Sequence, residues 1–233
     1  MMIEIFEPSL PAIVTAGFAG TYVLMISVFN MVGRIFWASM SDFIGRKPTY
    51  FIFFSLGILL YLSIPFTAKA MSIDPIVTYL ILFYAASMVI FTMYGGGFAT
   101  IPAYLADIFG TKYVGGIHGR LLTAWSTAGV LGPVAITQLR QNSVDSAIND
   151  LVSKISPEKF TEIYGASIEN LSLLVQEKTV TISNLMPHMP EGTINPSTTL
   201  YNSTMFAMAG LLAIAFVSNL LIGPVNEKHH MKE

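Results

Sequence analysis

The sequence predicts an all-α polytopic membrane protein, and three observations carry that prediction. Of 233 residues, 53% are hydrophobic and only 11% are charged, about half the charged share of a soluble domain. The uncharged runs are long: residues 13–33 carry no charge, and 32 uncharged residues separate Asp74 from Asp107. About 20 residues at about 1.5 Å each suffice to cross a hydrocarbon core of about 30 Å. The basic residues, finally, gather at one side of these runs.

Composition also excludes function classes. The net charge of −2 offers nothing to a nucleic acid. With no cysteine there is no disulfide framework, thiolate nucleophile or zinc–thiolate site. The opening MMIEIFEPSLPA has acids where a secretory leader would be basic.

In chain order, the first span is expected over residues 13–41 and the second over 48–68, which is uncharged and rich in aromatic residues. The third, between Asp74 and Asp107, exceeds what a perpendicular helix needs and is expected to tilt or bend. Gly95, Gly96, Gly97 and Pro102 mark the bend, because both features weaken the backbone ladder. After a short charged link, a fourth span runs from Arg120 to about Leu139, with Gly132 and Pro133 as a second kink. Residues 201–223 make the fifth, closed by Pro224 and a polar tail.

Residues 140–200 differ from their surroundings, holding seven acids against four basic residues. SAINDLVSKI and SIENLSLLVQEK carry helical patterns, and Pro157 marks a helix start. They read as a small helical extracytoplasmic insert that caps the outer mouth, with a ligand or partner site as the other reading. Asn170 and Asn202 stand in Asn-x-Ser/Thr contexts, which matter only in a glycosylating secretory pathway. The domains are thus residues 1–139 with four spans, the insert 140–200, and 201–233 with the last span and tail.

The sharpest local signal is NMVGRIFWASMSDFIGRK, where an apolar helix meets a charged turn. Asp42 opposes the negative end of the helix dipole and needs a basic partner, which Arg46 and Lys47 can supply. Gly45 permits the reversal, and Pro48 suits the first position of the next helix. ASMSDFIGRK resembles the loop signature of the major facilitator superfamily of transporters, Gly-x-x-x-Asp-Arg-x-Gly-Arg-Lys. Ala38 replaces its first glycine, which loosens close helix packing, and Phe43 replaces a basic residue of the usual charge network.

Two further stretches, YGGGFATIPAYLADIFG and GGIHGRLLTAWSTAGVLGP, resemble the tenth and eleventh helices of the oxalate/formate antiporter family within that superfamily. The resemblance covers residues 1–139 and 201–224. It implies five transmembrane helices of a C-terminal six-helix bundle, with MMIEIFEPS matching the outer end of the seventh helix. The missing N-terminal half is then an expected partner, besides the lipid bilayer. With the Asp42 to Lys47 turn cytoplasmic, that side receives Arg34, Arg46, Lys47, Lys112, Arg120, Lys228 and Lys232, whereas the short outer loop holds Lys69. The positive-inside rule is met, placing the N-terminus and the insert outside the cytoplasmic membrane and the C-terminus inside.

Arg34 lies eight residues, or about 12 Å, back along the helix from Asp42, a costly depth for a charge. One reading is that its guanidinium binds a substrate carboxylate bidentately, with Asn30 one turn earlier on the same side. The other is that Arg34 snorkels to the surface or joins a charge network with Asp42. The family resemblance implies a substrate-binding basic residue on this helix, matched by Arg34. It also implies, in the founding type, a lysine on the eleventh helix, where this chain has Trp125 flanked by Thr123, Ser126 and Thr127. That change favours a monocarboxylate such as formate or pyruvate over oxalate. Tyr94, Tyr104 and Trp125 line a cavity or serve as packing and interface anchors.

Asp42, Gly45, Arg46, Lys47 and Arg120 form the expected gating or cytoplasmic-loop group, with His118 beside Arg120 able to titrate near neutral pH. Asp107 is expected to end a helix. His229 and His230 lack further ligands and are not a metal site, and no cofactor is expected. Gly95 to Gly97 lack the lysine and the strand-then-helix context of a phosphate loop, so close helix packing and bending are the reading there. No paired carboxylate, nucleophile–base or metal constellation suggests an enzyme. Two classes stay open: a secondary transporter of a small carboxylate, or a non-transporting membrane fragment or carboxylate sensor acting through a partner.

Overall fold

In the computed structural model, which describes residues 1–223 and residue 225, the regular elements are helices, with no strand among the described residues. His229, His230, Lys228, Lys232 and Pro224 lie outside the described residues. A short helix α1 (Met2–Phe6) leads to the first long one, α2 (Ala16–Ile44). Thr15 starts α2 by accepting a hydrogen bond from the Phe18 N–H at 3.2 Å, which satisfies one orphan donor. The helix runs through Asp42 and stops at Gly45, whose φ of 90° no L side chain adopts comfortably.

Helix α3 (Arg46–Ile73) begins at once. Pro48 is its third residue and not its first, a position where the missing N–H still costs nothing because first-turn donors have no intrahelical acceptor. The helix continues through Pro65 and past Ala68, so Lys69 is helical and not in a loop. Helix α4 (Val77–Phe109) is likewise unbroken through Gly95, Gly96, Gly97 and Pro102. Helix α9 (Asn202–Leu221) closes the set.

The expected fourth span, from Arg120 to about Leu139, lies inside a longer helix. Residues from Val114 onward form one 39-residue helix, α5 (Val114–Val152), which starts before Arg120 and passes position 140 without a break. Four stretches are long and apolar enough to cross a membrane: Ala16–Ile44, Arg46–Ile73, Val77–Phe109 and Pro196–Leu221. Helix α5 is not among them, because Thr123, Ser126, Thr127, Gln138 and several glycines dilute its apolar residues.

The bundle is organised by the crossing of α2 and α4. A Cβ on Gly33 would lie 2.1 Å from the Thr92 carbonyl oxygen, and one on Gly95 would lie 2.0 Å from that of Asn30. On Gly96 it would strike the Trp37 side chain at 2.5 Å. The glycines therefore serve close backbone approach, which in lipid takes the place of hydrophobic driving force. Trp37 is fixed there by its indole N–H, which donates to Thr92 Oγ1 at 3.2 Å. One core cluster, around Phe6, Tyr22, Met71, Leu80 and Phe83, lies toward the α1 end, and a second joins Trp37, Tyr50, Phe53, Met93 and Tyr104.

Beyond the bundle, residues up to 200 build a core of their own. Phe160 on α6 (Pro157–Tyr164) packs with Leu185 of α8 (Ile182–Leu185), Val180, Leu200 and the α5 residues Ile148, Leu151 and Val152. Helix α7 (Leu171–Gln176) lies against this core through Leu171, Leu174 and Val175. Pro157 begins α6 as its sequence implies, with the Ser156 hydroxyl accepting from the Lys159 N–H.

A polar junction ties this segment to the bundle. Arg140 of α5 and the Tyr201 hydroxyl, just before α9, both donate to the Glu4 carboxylate of α1, and Arg140 Nε donates to Tyr201 Oη at 3.1 Å. Burial works to raise the Glu4 carboxyl, but these hydrogen bonds and the neighbouring positive charges outweigh it and hold it below its ordinary value.

Two predictions follow from this packing. Gly33→Ala and Gly95→Ala should each destabilise the purified chain by about 1–3 kcal/mol or more, read as a lower Tm in detergent. Gly97→Ala, whose Cβ meets nothing within 4 Å, should leave Tm unchanged or raise it. At Glu4, a lowered carboxyl contributes stability that is complete above the ordinary carboxylate value and is lost as pH falls through the lowered one. Between about pH 6 and about pH 3, Tm should therefore fall less steeply for Glu4→Gln than for the unaltered chain; parallel curves would contradict this.

Candidate functional site

The rotation of α2 decides where its charge goes. Gly33 is pressed against α4, so the next residue, Arg34, projects from an exposed face of the helix. Its Nε donates to Asn30 Oδ1 at 3.3 Å, the pairing expected for neighbours one turn apart. The side chain thus reaches back toward Asn30 and away from the Asp42 end. Among the described residues no carboxylate forms an ion pair with Arg34. Most of the five guanidinium donors are free, with only a neutral amide beside them.

Asp42 is accounted for elsewhere. It pairs with Arg46, which also donates to Ser41 Oγ and to the Ala38 carbonyl at 3.3 Å, and whose Nε lies 4.0 Å from Asp107. Arg34 therefore does not join the Asp42 network, and Asp107 does more than end α4. Lys47 was expected to share the Asp42 charge; instead its Nζ donates to the carbonyls of Leu220 at 3.0 Å and Ile222 at 2.6 Å. A lysine there satisfies orphan acceptors at the C-terminal end of α9 and matches its dipole. Phe43, in the place of a basic residue, is 87% exposed.

The same end holds a polar chain that sequence reasoning missed. The Tyr104 hydroxyl donates to Asn219 Oδ1 at 2.9 Å, and Asn219 Nδ2 donates to the Lys47 carbonyl at 3.2 Å. A buried asparagine inside an apolar helix was the available signal, since such a group must find partners.

The remaining candidates form a separate group. Tyr94 stacks edge-on with Phe98 at 5.2 Å between ring centroids, and Phe98 with Trp125 at 5.8 Å. These rings line a cleft of about 340 Å³ among α3, α4 and α5. The Thr123 hydroxyl donates to the Arg120 carbonyl at 2.6 Å and that of Thr127 to the Thr123 carbonyl at 2.9 Å, so both are held by their own helix. Arg120 is exposed. Asn30 and Arg34 do not line the cleft, and no hydrogen bond among the described residues joins them to α5. Only the backbone links the groups: Tyr94 precedes Gly95, which rests against the Asn30 carbonyl.

Replacing Lys47 by Met should expose the last α9 carbonyls without disturbing the Asp42–Arg46 pair. Amide exchange at 218–222 is expected to accelerate several-fold while that at 33–40 stays unchanged; equal rates in both proteins would show that the lysine caps nothing.

Over 117 residues, 49% of this chain, the sequence is 29% identical to the oxalate:formate antiporter of Oxalobacter formigenes. The match spans about a quarter of that protein's length, 26%. No protein-family model matches the chain, and no solved structure does. Together with the four helices long and apolar enough to cross a membrane, this similarity points to a membrane protein.

Proposed function

We propose that the chain forms part of a secondary transporter that moves a small carboxylate across the cytoplasmic membrane by alternating access. The observation that carries this reading is Arg34, a charged group at membrane depth whose one side-chain partner among the described residues is the neutral Asn30. Idle charge at such depth is rare, because leaving water is costly. A carboxylate entering there gains a bidentate, charge-assisted partner in a low-dielectric surrounding. Asn30 Nδ2 offers a further donor on the same face.

Helix α5 is the fifth span in this proposal, and a second helix bundle covers the bare face of α2 and the Thr123–Thr127 face of α5. The site then closes between the bundles, as they rock about a midplane ligand. Thr123 and Thr127 lie on its wall when α5 moves in, with Tyr94 and Trp125 behind them on the side of the α3–α4 cleft. Trp125 stands where the resemblance implies a lysine, so one fixed cation remains and a monocarboxylate such as formate or pyruvate suits it better than oxalate. The Asp42–Arg46–Asp107 cluster, with Gly45 and Lys47, holds the cytoplasmic ends of the helices together, and Arg120 is an exposed anchor or gate at that end. The N-terminus and residues 140–200 are outside, by the distribution of basic residues.

The test is uptake of labelled formate, pyruvate and oxalate into vesicles holding this chain, with and without a chain supplying the other helices. Uptake is expected only with both. Arg34→Gln should lower it at least tenfold, the loss of a desolvated ionic partner costing about 2–5 kcal/mol, with membrane insertion intact. Normal uptake by Arg34→Gln would overturn the assignment of the site. No uptake in either arm, with insertion verified, would favour a carboxylate sensor.

A further inference from the structure

The cleft among α3, α4 and α5 has no charged residue in its lining. Its walls are aromatic and aliphatic, including Phe53, Phe54, Tyr61, Ile101, Leu122 and Trp125. On α4 the wall is bare backbone at Gly97, where an added Cβ would meet nothing within 4 Å. At about 340 Å³ the cavity is within the range of roughly 300–1,000 Å³ typical of ligand pockets. A carboxylate has no reason to enter it, since Arg34 and Asn30 are not part of it.

Its position identifies the medium that reaches it. Two walls, α3 and α4, belong to helices apolar enough to cross a membrane, and Trp125 and Leu121 of α5, both lining the cleft, are 55% and 42% exposed. Trp125 lies about 200° around α5 from Thr123, so a bundle covering the Thr123–Thr127 face leaves this side to hydrocarbon. The cleft also runs toward the end of the bundle where the charged turn lies. Tyr50 is in the second turn of α3 and His118 in the second turn of α5, and both line it. His118 Nδ1 is buried there with no hydrogen-bond partner among the described residues. Lys112 and Arg120 stand on either side of His118 in the chain, both exposed and neither in an ion pair among the described residues. Asp42 and Asp107, the acids near the ends of α2 and α4, are already engaged by Arg46.

We infer that this cleft is a binding site for one acyl chain of an anionic membrane lipid, whose headgroup lies at the Lys112–His118–Arg120 end of α5. Hydrocarbon tails gain no hydrophobic free energy in passing from bilayer to cleft. Preference among lipids therefore comes from the headgroup, and each nearby basic side chain strengthens binding of an anionic one about fivefold. The inference stands apart from the transport reading, because the cleft excludes Arg34 and its test measures binding alone.

The test uses the whole chain purified in maltoside micelles, titrated with dibrominated phosphatidylglycerol while tryptophan emission is followed. The chain has two tryptophans. Trp37 is 9% exposed and packed against Gly96, and a Trp125→Phe variant supplies its signal for subtraction. Trp125 should show saturable quenching, at least fivefold tighter than with dibrominated phosphatidylcholine. Gly97→Leu, which fills the cleft from its bare wall, should abolish the saturable component. Quenching that rises in proportion to lipid and persists in Gly97→Leu would overturn the proposal. So would equally tight quenching by dibromostearate alone, which would make the occupant a free fatty acid. Should Gly97→Leu fail to fold, the paired change Lys112→Gln and Arg120→Gln decides the matter: phosphatidylglycerol should fall to the affinity of phosphatidylcholine, and an unchanged preference would refute the headgroup site.

Discussion

The contact on which the rest of the structure depends is the backbone-to-backbone crossing of α2 and α4. Gly33, Gly95 and Gly96 leave no space between the two helices, and Trp37 closes the contact with a hydrogen bond to Thr92. Inside a membrane, apolar side chains gain little by leaving lipid for one another, so helices that must stay together rely on close van der Waals fit. This fit also fixes the rotation of α2 about its axis. Once Gly33 faces α4, Arg34 faces outward and Asn30 lies beside it, so the charge does not pack into the α2–α4 contact.

Charge is handled differently at the ends and in the middle. At one end Asp42, Arg46 and Asp107 neutralise one another, and Lys47 caps α9. At the other, Glu4, Arg140 and Tyr201 join α1, α5 and α9. Both clusters use residues distant in sequence, so they hold helices in register as well as satisfying charge. Arg34 has no such compensation within the described residues. The fold neutralises its terminal charges among its own residues and leaves Arg34 with an amide alone.

Much of this was legible in the sequence because it follows from local periodicity and turn chemistry. The Gly45 reversal, the Arg46 partner of Asp42, the Asn30–Arg34 spacing and the Pro157 helix start are all set by residues within one or two turns of each other. The glycine triplet was readable as close packing, although nothing in it named Gly33 as the opposing surface. What could not be read depends on distance in the chain. Lys47 answers carbonyls 173 and 175 residues away, and Glu4 meets Arg140 across 136. The extent of α5 escaped for another reason: the shift from apolar to polar composition near 140 resembles a boundary, yet helix propensity is continuous across it.

That continuity has a mechanical consequence. Helix α5 is 39 residues long, or about 58 Å at about 1.5 Å per residue. Its first turns lie at the charged end of the bundle, and its last, at Ile148 to Val152, form part of the core of the polar segment. A rod anchored in this way acts as a lever. A tilt of about five degrees at Val114 would swing Val152 by roughly 5 Å, carrying Phe160, Leu185 and their neighbours with it, so that a small motion among the helices becomes a displacement of the whole polar segment.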